Sequence, residues 1–523
     1  MTDIRKAYFV GGGIGALAGV AFMIRDAGFN GSDISIFETG KKLGGSLDAS
    51  GSADHGYAMR GSRMMTTENF ECTWDLFKSI PSLSNPEKSV FDETIEFTEN
   101  VRWNAKARLV DRNRAVADVS SMGFSMANRI ELLKLSEASD EELENHRITD
   151  WLSSDFFSTA FWHMWSTTFA FQPWHSALEF KRYLHRFIVS FSRIETLSGV
   201  KHPIYNHFDS MVCPLVEWLK QRGVQFIVDA TVTDLELEEI DGKATVIAIH
   251  FETAGKKETL AVKHDDPVFF QNASMTDASS WGAMSAPPDR RTKHDSGGWA
   301  LWEKLATGRS DFGNPLTFNS NTSETNWLSF TVTLTNPRFF QQIELFTGNA
   351  PGTGGIMTFK DSSWLISIVL YHQPHFLDQP ENVQVFWGYA LHPDRVGDYV
   401  AKPMSDCNGR EILQELCGHL NFERDVFTDG TCIPCRMPYI ASQFMPRAKS
   451  DRPLPVPRSS RNLAFVSQFV ELPKDTVFTI EYSIRAAQMA VYELMKVERD
   501  IPPVTPYDES LRIKLDALVK AFK

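Results

Sequence analysis

The stretch that decides the fold is residues 7–48, AYFVGGGIGALAGVAFMIRDAGFNGSDISIFETGKKLGGSLD. A short apolar run, Tyr8-Phe9-Val10, meets Gly11-x-Gly13-x-x-Ala16. A helical pattern then runs to Asp26, Gly28 to Gly31 make a turn, and Ile34-Ser35-Ile36-Phe37 forms a second strand that ends in Glu38. Strand, glycine turn, helix, strand is the order of a dinucleotide fold. Gly11 supplies the tight turn, Gly13 the bare backbone that lets a pyrophosphate approach the helix N-terminus, and Ala16 the close helix–strand contact, with Gly15 beside it as a further cofactor-binding position. Backbone N–H groups and the helix dipole both favour an anion there. Glu38, 22 residues after Ala16, is placed to take the two ribose hydroxyls.

The residues just past Glu38 select the nucleotide. Gly44-Gly45-Ser46 puts a second glycine pair close behind the ribose carboxylate, where the backbone can pass along a long diphosphate. It resembles the extension of two-dinucleotide-fold flavoproteins, so FAD is favoured over NAD.

At 523 residues the chain exceeds one core and should form two or three lobes. A net charge of −13 argues against nucleic acid as a partner. The 38 Phe and 13 Trp suit a large apolar cavity, although the core is their default home. No apolar run reaches the roughly 18 residues a membrane span needs. The sequence opens almost directly on the nucleotide strand, an arrangement expected to leave no room for a leader. Six scattered cysteines then imply reduced thiols and a cytoplasmic address. Cys432-x-x-Cys435 lacks a partner pair, and no metal site is expected.

Along the rest of the chain, Gly51 to Arg63 reads as a polar, glycine-bearing loop, Phe70 to Ser79 as a helix, Ile95 to Val110 as strands, and Ala127 to Glu144 as a helix with a charged face. Ile148 to Phe191 is dense in aromatics at three- and four-residue steps, which suits either a helical core or the lining of a channel for a long apolar substrate. Val212 to Arg222 is amphipathic. Val224 to Val228 and Ala230 to Thr233 read as strands, the second placing Val232 against an adenine ring, as is common in FAD folds. Val268-Phe269-Phe270 looks like another sheet strand, leading to a small-residue turn at Ser274. Trp327 to Leu334, Trp364 to Tyr371 and Val383 to Gly388 suggest an inserted antiparallel sheet. Leu463 to Val466 is a buried strand. Val477 to Leu494 is a helix whose approach, Thr476-Val477-Phe478, would close over the ring end of the flavin. Arg447 to Arg461, rich in proline and basic residues, reads as an exposed loop, with contact to an anionic membrane as the less favoured role.

With these segments laid out, the chain resembles the oleate hydratases, FAD-containing fatty acid hydratases once called myosin-cross-reactive antigens. The resemblance covers nearly the whole length and rests on GGGIGAL with KLGGSLD, YNHFDSMVCPLVEWL, NASMTDASS, GTGGIMTFKDSSWLISIVLYHQPHF, VFWGYALHPDRVGDYVAKPM and NLAFVSQFVELPKDTVFTIEYS. It implies water addition to the cis-9 double bond of oleic acid, with linoleate as a second candidate, to give 10-hydroxy fatty acids without net redox change. It also implies an α/β fold with a discontinuous Rossmann-like FAD-binding domain (1–80, 200–290, 430–500), an inserted mixed α+β substrate lobe (81–199, 291–429) and a small C-terminal helical segment (501–523). The family's flavin-side motif RGGREM corresponds to Arg60-Gly61-Ser62-Arg63-Met64-Met65, so Arg63, Met64 and Met65 face the cofactor and Met64 stands at the position of the family's catalytic glutamate. A thioether neither holds nor delivers a proton. Asp54, His55 and Glu68 are the nearby alternatives. The family's tyrosine motif, like YNQYES, falls on Tyr205 to Ser210 and places acid chemistry and substrate contact on Tyr205. Ser442 and Gln443 match the segment that contributes to carboxylate capture. A monomer is favoured over a homodimer. The competing readings are a flavin-dependent oxidase or desaturase acting on a long apolar substrate, and a non-catalytic lipid-binding flavoprotein.

Overall fold

The computed structural model describes residues 5–522. Its organising layer is a five-stranded parallel sheet in the order Leu463–Phe465, Val268–Phe270, Ala7–Val10 (β1), Ile34–Phe37 (β2), Gln225–Ile227. β1 is buried along its whole length, as a central parallel strand covered on both faces must be. The helix Ile14–Arg25 (α1) packs on it through Gly19, where an added Cβ would come within 2.7 Å of the Phe9 ring. Ile480–Met495, a helix capped by the Thr479 side chain, packs against α1 and brings the C-terminal part of the chain back to the first strand. The fold is thus α/β and Rossmann-like, its sheet assembled from distant parts of the sequence.

A second sheet has seven strands in the order Ser280–Trp281, Thr431–Met437, Trp327–Leu334, Gln384–Ala390, Ile366–Leu370, Ile356–Phe359, Leu109–Val110, antiparallel except for the last pair. Its third strand, Trp327–Leu334, presents two different faces. Leu328, Phe330, Val332 and Leu334 point into a separate hydrophobic core, while the alternate residues Ser329, Thr331 and Thr333 point the other way. The Thr333 and Thr331 hydroxyls accept the main-chain N–H groups of Tyr57 (2.8 Å) and Met59 (3.1 Å), and the Ser329 hydroxyl donates to the Arg60 carbonyl (2.9 Å). A ladder of side-chain hydroxyls thereby anchors the segment that carries Arg63 and Met64.

Three segments depart from the sequence reading. Gly51 to Arg63 contains most of a β-hairpin, Ala49–Ser52 with Gly56–Met59, because that hydroxyl ladder gives it a partner. Ile95 to Val110 is mostly not strand. A helix spans Val90–Asn100, N-capped by Ser89 and with Asp92 and Glu93 in its first turn, and its buried Val90, Thr94 and Thr98 keep a four-residue period that threonine hides from a hydrophobicity count. Arg447 to Arg461 is not simply an exposed basic loop: Arg447 and Arg452 are buried and paired with Glu179. The aromatic segment is largely helical core, with Phe161, Trp165, Phe169, Phe180 and Tyr183 in a continuous web of ring contacts.

Candidate active site

The turn between β1 and α1 opens on a cavity of about 420 Å³. Its walls bring together Gly11, Gly13, Glu38, Gly45, Val232 and Ser274 from four separate parts of the chain. The two glycine pairs lie back to back. The Gly44 N–H donates to the Gly12 carbonyl (2.8 Å), and a Cβ on Gly45 would sit 3.1 Å from the Gly13 Cα. Gly44, at φ 108°, takes a conformation that favours glycine. Gly15 and Ala16 lie inside α1 rather than on the cavity wall. Gly15 lets the helix press against the sheet, since a Cβ there would meet the Val466 carbonyl oxygen at 2.8 Å. Ser46 sits in the short turn Gly45–Leu47, directly after the second glycine pair.

Glu38 is held by the turn it faces. Its two carboxylate oxygens accept the N–H groups of Gly12 (2.8 Å) and Gly40 (2.7 Å). Burial raises its pKa above the ordinary carboxylate value, although those two N–H groups pull it back. Asp277, half-buried on the same wall, is pushed up to about 6 by desolvation, against an N–H bond from Ser274. Sequence reasoning misses Asp277; its place in NASMTDASS, beside Ser274, is the signal that could have found it. It misses Gln271 as well. The Gln271 amide would collide with any side chain at Gly13, and its Oε1 is buried with no hydrogen-bond partner among the described residues.

A second, smaller chamber of about 50 Å³ is lined by Ser62, Arg63, Met64, Trp103, Thr167, Trp327, Trp387, Tyr389 and Phe478, among others. Arg63 is its most unusual member. Burial pulls its pKa down to about 10, its Nη1 donates only to the neighbouring Ser62 carbonyl (3.0 Å), and its Nη2 has no partner among the described residues. Its guanidinium lies 5.5 Å from the centre of the Phe478 ring. Phe478 itself adopts φ 67°, a strained value for an aromatic residue. Met65 is fully buried and its backbone bridges to Lys201. Thr476 is buried with an unpartnered hydroxyl, and the Val477 carbonyl accepts the Tyr183 hydroxyl.

Tyr205 lies in a third chamber, which shares Ser62 and Trp103 with the second and adds His202, His207, Tyr371, His372 and His375. The four histidines are all held below their ordinary pKa, burial being the main cause in each. Of the alternatives to a glutamate at position 64, Asp54 and His55 are exposed near the hairpin tip, and Glu68 pairs with Arg193 (3.2 Å). Ser442 and Gln443 line none of these chambers. The Ser442 hydroxyl donates to the Tyr439 carbonyl and the Gln443 amide to the Ile440 carbonyl. What Gln443 leaves unpartnered is an acceptor oxygen, which cannot take a carboxylate. Cys432 and Cys435 point into different hydrophobic cores from one strand, which rules them out as a ligand pair.

The model describing the MCRA family matches residues 4–492. The chain belongs to the MCRA family. Within it, the chain is 38% identical to an oleate hydratase of Streptococcus pyogenes serotype M49 (strain NZ131), covering 96% of this chain and 87% of that protein. It is 32% identical to a linoleate hydratase of Lactiplantibacillus plantarum, covering 99% and 98%. Among solved structures, cyclohexylamine oxidase from Brevibacterium oxydans IH-35A superposes with a TM-score of 0.57 at 9% identity, over 95% of this chain and 100% of that one. Putrescine oxidase gives 0.54 at 11%, over 94% and 99%. These structural likenesses show that this MCRA family member shares its fold with amine oxidases.

Proposed function

We propose that this MCRA family member binds FAD and adds water across the cis-9 double bond of oleic acid and related unsaturated fatty acids, giving 10-hydroxy fatty acids. The observation that carries the reading is the near full-length similarity to proteins named oleate and linoleate hydratase. Hydration requires a proton for one alkene carbon and a water, relieved of its proton by a base, for the other. The nucleotide cavity and the two chambers suit that division of labour. Glu38 and the doubled glycine turn fit the ribose and diphosphate of FAD, and the unmatched guanidinium of Arg63 fits an electron-rich ring end. When bound, the flavin supplies a rigid floor for the alkene and an electrostatic element, with no net transfer of electrons. Tyr205 is assigned proton delivery. Six unpaired cysteines support a cytoplasmic address. Among the described residues no helix is long and apolar enough to cross a membrane.

The test is an anaerobic incubation of the FAD-loaded, reduced protein with oleate, followed by product mass. A product heavier by one water supports hydration; a product lighter by two hydrogens marks a desaturase, and unchanged oleate a binder. A second expectation concerns the cofactor alone. Glu38→Gln keeps the side-chain shape but replaces one acceptor of a buried, charged hydrogen-bond pair, so FAD affinity should fall by about tenfold. Fluorescence titration of apoprotein with FAD measures it, and an unchanged Kd would remove Glu38 from the ribose site.

A further inference from the structure

Met64 leaves the proposed hydration without a base beside the ring chamber, and the third chamber contains groups that can serve as one. Its space amounts to about 20 Å³, room for roughly one water molecule. A buried water needs two to four polar partners. Four residues lining this chamber carry buried polar atoms with no partner among the described residues: His207 Nε2, His372 Nδ1, His375 Nε2 and the Tyr371 hydroxyl. The chamber is therefore of a size and polarity to hold a single water, against a wall it shares with the chamber of Met64.

The three histidines differ in readiness: His372 is only half-buried and packs edge-on against Phe97. His375 is stacked face to face on Tyr371, ring centres 3.7 Å apart. His207 lies within reach of the charge of Arg63, the residue directly before Met64, and its Nε2 has no partner among the described residues. An unpartnered Nε2 can accept from a water in the tautomer that carries its hydrogen on Nδ1. Burial and the Arg63 charge keep it neutral, ready to accept a proton.

We propose that His207 is the general base of the hydration, holding the attacking water through Nε2 and taking its proton as the carbon–oxygen bond forms. This assignment rests on the hydratase reading. The balance closes without any further reagent. Tyr205 gives its phenolic proton to one alkene carbon as the π bond breaks, and water oxygen bonds the other carbon. The proton released by that water passes to His207, and the resulting imidazolium returns it to the Tyr205 phenolate. A weak base suffices, because water bonded to a carbocation-like carbon is strongly acidic.

The test compares FAD-loaded parent, His207→Gln and His207→Ala proteins in anaerobic oleate hydration, with FAD binding and thermal midpoint recorded for each. Both variants are expected to lose about a hundredfold or more in kcat. Added imidazole should raise the rate of the Ala variant and leave the Gln variant unmoved, a response that a purely structural role would not give. A Gln variant within about threefold of the parent overturns the assignment. So does an Ala variant that binds FAD normally yet shows no response to imidazole. Variants that fail to bind FAD would show His207 to be structural and overturn it equally. A parent that leaves oleate unchanged sinks the hydratase reading itself, and the base assignment goes with it.

Discussion

Replacing Arg447 with methionine is expected to lower folding stability by about 3–5 kcal/mol, the cost of breaking a buried ion pair from one side. Arg447 is fully buried, its guanidinium hydrogen-bonded to Glu179 at 2.9 and 3.0 Å and ion-paired with Glu471 at 2.7 Å. Arg452 pairs with Glu179 (3.0 Å), while Arg182 pairs with Glu471 (2.8 Å) and Asp140 (3.2 Å). Arg447 is the cation shared by Glu179 and Glu471, and removing it leaves both carboxylates short of a partner where Glu179 has no exposed side-chain surface. Methionine fills much of the volume, so the loss reads the charge rather than a cavity. Urea denaturation measures it; a change under about 1 kcal/mol would mean that water reaches the cluster.

The same cluster ties stability to pH in a definite direction. Burial alone would raise the pKa of Glu471, but Arg447, Arg182 and Arg452 outweigh it and depress the value to about 2. A carboxylate depressed on folding contributes stability that is present above its unfolded value, near 4.3, and is lost as pH falls through the folded one. The parent should therefore lose this contribution between about pH 4 and pH 2, and Arg447→Met should show a flatter acid limb over that interval.

That cluster also shows where sequence reading stops. Residues 7–48 were legible because each requirement of the dinucleotide turn is local: glycine where backbones touch, an apolar strand before, a carboxylate after. The pairing of Arg447 with Glu179 spans 268 positions, and nothing near Arg447 distinguishes a buried guanidinium from a solvated one. The placement of Arg63 and Met64 is of the same kind. It depends on Ser329, Thr331 and Thr333, whose hydroxyls look like ordinary strand residues until the hairpin at Tyr57 and Met59 lies against them. Tyr205 was legible through its motif, but the water-sized space beside it is made by Tyr371 and His375, well over a hundred residues further along the chain.

Tyr205→Phe is expected to lower kcat for oleate hydration by about a hundredfold, with KM much less affected. The expectation rests on how little else the substitution removes. The loop that carries Tyr205 is fixed without its hydroxyl: its own N–H donates to the Ser210 hydroxyl (3.2 Å), and Asn206 is bonded to the His375 carbonyl through both its main-chain N–H (2.8 Å) and its side-chain amide (3.2 Å). Asp209 locks the other side, accepting from the Asn206 amide (2.7 Å) and from the Leu377 N–H (3.0 Å). The phenylalanine ring should therefore occupy the same place, with the chamber and its histidines intact, and only the transferable proton absent. Stopped-assay product analysis on FAD-loaded protein, with an unchanged flavin spectrum as the control, gives the measurement. A rate within about threefold of the parent would take proton delivery away from Tyr205 and direct attention to Tyr371, the other phenol lining the same chamber.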